Sequence, residues 1–270
     1  MNEFDDVTKL FEREICQYIG TKHAIVVNNG TAAIHTALLA SSLWNCVIIT
    51  TPFTFPASVD PIIQAGSYPV FADIDPKTYC LDPKEVIKTV EGEYNGLYDA
   101  LLFVDLFGNT DNVQDMRDVC DDYGLFMVED ASQAFGASFD GKKAGSFGDV
   151  GTFSFYASKN MWTFEGGAIV TDDDDIAEKA RMIRNHGFND KGEKVMVGFN
   201  YKIPRICSFI GLTNLRLHKK GIESELGLLS PKDGYYPRVI YDNQYYKDFG
   251  LTGKCPIAEE LARKVRMKEF

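Results

Sequence analysis

Residues 100–130, ALLFVDLFGNTDNVQDMRDVCDDYGLFMVED, hold two short apolar runs on either side of an amphipathic one. Ala100–Val104 reads as a strand. Val113, Met116, Val119, Cys120 and Tyr123 recur at helical spacing, and Gly124 is a natural stop for that helix. Phe126–Val128 then reads as a second strand, running out into Glu129 and Asp130. Strands that are apolar on both faces and joined through a helix belong to a parallel sheet covered on both sides.

The same alternation extends in both directions. Before it come a helix whose face is Val7, Leu10, Phe11, Ile15 and Tyr18, a strand over 24–27, a helix over 32–40, a strand over 47–50, a helix over 57–65 and a strand over 69–73. Asp82-Pro83 with Glu85 marks a further helix start. After it come strands over 151–155 and 168–170 and a helix over 173–183. Ile206, Phe209, Ile210, Thr213 and Leu217 predict another helix, and a closing helix is expected over 258–267. The expected class is α/β. In such sheets ligands sit beyond the carboxyl ends of the strands, so Asn28–Thr31, Pro52–Phe55, Phe107–Asn109 and Asp130–Gln133 should converge on one crevice.

Composition narrows the partners. The chain has 270 residues, a net charge of −11 and no basic run, so nucleic acid is not an expected partner. No apolar run is long enough to span a bilayer, and the acidic, amphipathic start is unlike a signal peptide. The six cysteines form no CxxC pair, which reads as reduced thiols in a cytoplasmic protein. The four histidines lack metal-ligand spacing, so no metal site is expected.

Lys159 stands in GDVGTFSFYASKNMWTFEGG, residues 148–167, between a short strand and a glycine pair. A lysine in a loop is ordinarily a solvated charge. Here apolar and aromatic residues surround it, with Ser154 and Ser158 as hydroxyl donors. Partial desolvation favours the uncharged amine, the nucleophile that a Schiff-base lysine requires. Gly30 and Thr31 fall where a strand gives way to a helix, which is a plain N-cap or a phosphate seat. Asp130 is either a turn acid or the carboxylate that keeps a pyridine ring protonated, as pyridoxal phosphate needs. Gln133 could bond a ring oxygen, and Phe53 or Phe55 could either cover a planar ring or pack in the core.

The segments FEREICQYIGTKHAIVVNNGTAAIHTAL, TPFTFPAS, YPVFADIDPKTYCLDP, LFGNTDNVQDM, VEDASQAFGASFDGKKAGSFGDVGTFSFYASKN, FEGGAIVTDDDDIAEKARMIRNHG and GFNYKIPRICSFIGLTNL, taken together and in this order, resemble the DegT/DnrJ/StrS-type sugar aminotransferases of pyridoxal-phosphate fold type I. The resemblance implies Lys159 as the Schiff-base and proton-shuttling residue, Asp130 at the pyridine nitrogen and Gln133 at the ring hydroxyl. It implies Phe55 as the stacking aromatic and Gly30, Thr31 and Ser154 as the phosphate cradle. Asn200 would reach a neighbouring subunit's phosphate, so a homodimer with shared sites is implied. The implied reaction moves an amino group, with glutamate as donor, to a keto group of a nucleotide-linked deoxysugar.

The chain departs from the family after Leu217, where HKKGIESELGL follows at once instead of a long helix and an antiparallel sheet. Gly198, Phe199 and Lys202 also replace commoner tyrosine and arginine choices. A large cofactor-binding domain over 1–217 and a reduced C-terminal domain over 218–270 are therefore expected. Two other functions stay open: a non-catalytic homologue with a structural or regulatory role, and a sugar dehydratase. Dehydratases of this family generally carry histidine in place of the Schiff-base lysine, which Lys159 argues against.

Overall fold

In the computed structural model, which describes residues 6–92, 96–220, 236 and 238–266, the apolar runs become one seven-stranded sheet. Its strands are β1 (His23–Val27), β2 (Val47–Thr50), β3 (Tyr68–Phe71), β4 (Ala100–Val104), β5 (Phe126–Asp130), β8 (Val150–Ser154) and β9 (Gly167–Thr171). They lie in the order β1-β9-β8-β5-β4-β2-β3. Only β9 runs antiparallel to its neighbours; the β2–β3, β2–β4, β4–β5 and β5–β8 pairs are all parallel. The intervening β6 (Ser138–Phe139) and β7 (Lys142–Lys143) form a separate small hairpin.

Burial follows the two-residue period of a strand, with both sides dry. In β1, Ile25 and Val27 enter one apolar core while Ala24 and Val26 enter another. In β9, Ile169 joins the first while Ala168 and Val170 join the second. Helices close both faces: α1 (Asp6–Ile19), α2 (Gly30–Ala40), α3 (Pro56–Gln64), α4 (Pro83–Val90), α5 (Val113–Tyr123), α6 (Asp174–Arg184) and α7 (Arg205–His218). Their ends obey local chemistry. Asp82 caps α4 through Lys84 N, Asp173 caps α6 through Ile176 N, and Gly124 ends α5 at φ 67°.

Helix α7 forms where its apolar row predicts a helix, but that row is not the packed face. Ile206 is 64% and Phe209 59% exposed, while Cys207, Ser208, Gly211, Leu212 and Leu215 are buried. The cause is close approach to α1. A Cβ on Gly211 would stand 2.5 Å from Cζ of Phe11, so the small residues must face inward.

The boundary expected at 217/218 lies just ahead of residues 221–235, which fall outside the described residues. The described chain beyond them packs on the sheet domain. Tyr236, Ile240, Tyr241, Tyr246, Cys255 and Ala258 share one core with Ile48, Phe71 and Leu101. The Asp73 carboxylate, beyond β3, accepts from Ile257 N and Ala258 N in the first turn of α8 (Pro256–Arg266). A charge at that helix end contributes about 1 kcal/mol.

Candidate active site

Loops beyond the carboxyl ends of β1, β2, β5 and β8 each bring one piece of chemistry to a common place, whereas Phe107–Asn109 after β4, expected to join them, does not line it and meets the site only through the Phe107 N–H on Gln133. A cavity of about 380 Å³ opens there, within the range of small-molecule sites. Its lining includes Gly30 and Thr31 after β1, Phe55 and Ser58 after β2, Asp130 and Gln133 at and beyond the end of β5, and Ser154 and Lys159 at and after the end of β8. The candidate residues Gly30, Thr31, Phe55, Asp130, Gln133, Ser154 and Lys159 are thus brought together. Asn200 is not among them. It is exposed and bridges Asn185.

Gly30 opens α2, and Asn29 caps that helix by accepting from Ala32 N at 2.8 Å. A Cβ at position 30 would meet the Ser154 Cβ at 2.8 Å, so the helix start and the end of β8 meet closely only because a glycine stands there. The backbone donors of the first helical turn carry the positive end of the helix dipole.

Asp130 is almost wholly buried, and its carboxylate is held on both oxygens. Ser58 Oγ donates to Oδ2 at 2.7 Å, and Ser132 N donates to Oδ1 at 3.2 Å. Ser58 has one proton, and a carboxylate can only accept it. Its 2.9 Å contact with Thr54 therefore runs from the Thr54 hydroxyl to Ser58, giving the directed chain Thr54→Ser58→Asp130. Lone pairs on the carboxylate remain for a ligand.

Replacing Ser58 with alanine leaves the Thr54 donor buried without an acceptor and removes a charge-assisted bond. A loss of about 2 kcal/mol in unfolding free energy is expected by urea titration. In the Thr54→Val background the further loss should be smaller, because the two hydroxyls act as one chain.

Lys159 lies in the turn after β8, with its backbone N–H on Tyr156 O at 2.9 Å. Burial pushes its ammonium below the usual lysine range, and the nearby Asp130 charge pulls the other way. Burial wins, so the amine is more readily uncharged than a surface lysine.

Two engaged residues were not legible in the sequence. Ser58 sits in TPFTFPAS, where the aromatics drew the reading. Tyr236 comes from the far end of the chain: Gln133 Nε2 donates to its Oη at 2.9 Å, while Gln133 Oε1 accepts from Phe107 N at 2.8 Å. Phe107 holds a left-handed backbone, φ 57°, unusual for a bulky residue, and the Gln133 bond anchors it. Both ends of the Gln133 amide are therefore tied to protein, with one N–H left over. Among the described residues no group of His, Cys, Asp and Glu side chains is arranged to hold a metal ion.

Known proteins resemble this chain over much of its length. The sequence profile of the DegT/DnrJ/EryC1/StrS aminotransferase family matches residues 4–225. GDP-perosamine synthase of Vibrio cholerae is 35% identical over 219 residues, 80% of this chain and 58% of its own length. The UDP-4-amino-4,6-dideoxy-N-acetyl-beta-L-altrosamine transaminase of Campylobacter jejuni is 30% identical over 264 residues, 96% of this chain and 69% of its own. The solved structure of Helicobacter pylori PseC, an aminotransferase of pseudoaminic acid biosynthesis, superposes with a TM-score of 0.73 at 33% identity, covering 79% of this chain and 58% of that one.

Proposed function

This chain belongs to the DegT/DnrJ/EryC1/StrS aminotransferase family, and from that premise we propose that it transfers an amino group from glutamate to the keto group of a nucleotide-linked deoxysugar, with pyridoxal 5'-phosphate as cofactor. The observation that carries the reading is Lys159, its amine favoured in the uncharged form by burial, in one cavity with Asp130. The sugar-nucleotide class is supported by the names of the Vibrio and Campylobacter relatives.

The residues fit the cofactor. The α2 start offers backbone donors for a phosphate, with the Thr31 and Ser154 hydroxyls beside it, in a cradle that a side chain at position 30 would fill. In the same cavity, Asp130 offers an oriented carboxylate for a ring N–H⁺. Phe55, 55% exposed, stands free to cover a ring. When bound, pyridoxal phosphate supplies the electron sink that stabilises the charge left when a Cα proton is removed.

The protein's own part is orientation and proton handling. Asp130, fixed by Ser58 and Ser132, would hold the proton at the ring nitrogen. Burial favours the uncharged form of the Lys159 amine, which would remove the donor's Cα proton in one half-reaction and, as its ammonium, deliver a proton to the acceptor carbon in the other. Gln133, tied to Phe107 and Tyr236, keeps one N–H for the ring oxygen.

A second copy completes the assembly in this reading. Asn200 lies away from its own cavity, and Val195 and Val197 in the preceding loop are exposed, as are Ile206 and Phe209 on α7. Such a row of apolar side chains is suited to self-association. Light scattering should give twice the 30.2 kDa chain mass; the chain mass alone would exclude shared sites. The six free cysteines fit a reducing compartment, so we place the enzyme in the cytoplasm.

The test is direct. Purified protein loaded with cofactor is given glutamate and a panel of nucleotide-linked keto-sugars. Mass spectrometry should show oxygen replaced by an amino group on one of them. Cofactor-loaded protein that aminates none would overturn the proposal.

A further inference from the structure

Behind Asp130 lies a second acid that the reading above leaves without a task. Asp105, just past the end of β4, is wholly buried, and its backbone N–H donates to Asp130 O at 3.1 Å. Neither of its carboxyl oxygens receives a hydrogen bond from the described residues. Glu129, also wholly buried, is in the opposite condition. Gly145 N and Phe147 N donate to its two oxygens, and Gly148 N adds a third bond at 3.1 Å.

The charged and titratable groups acting on Asp105 are Glu129 and Asp130 of β5, and the Cys80 thiol faces it from the segment ahead of α4. Glu129 and Asp130, successive residues of β5, point to opposite sides of the strand, yet both charges act on Asp105, and burial disfavours ionising it between them. The donor inventory decides which one keeps its proton. Glu129 has three N–H donors to stabilise its charge, Asp130 has Ser58 and Ser132, and Asp105 has none.

We propose that Asp105 is a neutral acid at physiological pH, that it donates its O–H to Glu129, and that it thereby serves as a positioning residue behind Asp130, the carboxyl group offered to the ring nitrogen. Burial and the two neighbouring charges both push the Asp105 carboxyl well above its ordinary range, in agreement with this assignment. The pair then carries one negative charge rather than two, and Asp130 is spared a third like charge at its back. This consequence for the cofactor rests on the function proposed above. The protonation itself does not.

The sign of the pH effect is fixed. The unfolded carboxyl ionises near pH 3.9, while the folded one holds its proton to higher pH. Between those two values folding takes up a proton, so stability falls as pH rises, by up to about tenfold in the folding constant per pH unit, and levels off above the folded value. Asp105→Asn copies the neutral acid and keeps a donor to Glu129, so that fall should vanish.

The test uses the full-length protein without added cofactor. Urea unfolding of wild type and Asp105→Asn is compared at pH 5, 6, 7 and 8. The variant's stability relative to wild type should climb by several-fold or more across the series, and Asp105→Ala should not reproduce the gain in absolute stability. A constant difference between wild type and Asp105→Asn would overturn the proposal. Infrared spectroscopy of wild type alone supplies a second reading, independent of whether a variant folds. A protonated-carboxyl stretch should persist at pH 7, and its absence would overturn the proposal. Neither measurement depends on amination, so failure here is distinct from failure of the aminotransferase reading.

Discussion

Replacing Lys159 with alanine is expected to lower kcat for amination by about 10⁴-fold, the upper end of what one positioned proton-transfer group contributes, because the nucleophile is lost with it. Cofactor should still bind, since Asp130, Thr31 and Ser154 are untouched, but the visible absorbance that depends on the lysine should shift. Lys159→Arg should fail equally. A guanidinium keeps its charge at all working pH values and offers no free amine. The wild type supplies an internal check through pH. Burial lowers the Lys159 ammonium pKa, so cofactor capture should rise with pH and level off below the usual lysine range of about 10.4. Stopped-flow absorbance measures this. A rate still rising at that value would place Lys159 in water.

The second large effect is expected at Asp130. Asp130→Asn keeps the shape and still accepts the Ser58 bond at 2.7 Å, but it cannot balance a ring N–H⁺. Losing one partner of a desolvated charge pair is worth roughly 2–5 kcal/mol, so cofactor affinity should fall by roughly 30- to 4,000-fold in a fluorescence titration. Stability should move differently. Removing one buried acid relieves like-charge repulsion, which offsets the Ser132 N–H bond that an asparagine NH2 cannot accept, and the unloaded variant should match wild type to within about 1 kcal/mol. Weak binding in a protein that is no less stable would mark Asp130 as a residue kept for its ligand rather than for the fold.

The α/β class and the meeting of the loops were legible because both follow from periodicity. The strand–helix–strand run over 100–130 fixes parallel pairing, and parallel pairing puts loop ends on one edge. That logic, together with the family resemblance, selected Lys159, Asp130 and Gln133, and the structure gathers them. What stayed hidden depends on strand order and long-range packing. Ser58 reaches Asp130 across 72 positions because β2 lies beside β4, and β4 beside β5. No local pattern encodes that adjacency. Tyr236 meets Gln133 across 103 positions, from a segment with no periodic signal.

Helix α7 shows a different limit. Its apolar row gave the correct period, but period does not say which side is buried. The glycine and serine on the opposite side are inward because Phe11 leaves room for nothing larger at position 211. The acids at 105 and 129 make the same point for charge. Sequence shows three carboxylates near two strand ends. Only the folded placement of donors separates them, three backbone N–H groups on Glu129 and none from the described residues on Asp105.

The central claim is that the amine at position 159 is the one that takes hold of the cofactor. Purified protein incubated with pyridoxal phosphate, reduced with borohydride, digested and read by mass spectrometry tests this most directly. The account predicts the added phosphopyridoxyl mass on Lys159, and on no lysine in the Asp130→Asn variant at cofactor concentrations that saturate wild type. Label on a different lysine in the wild type, or on none, would contradict it.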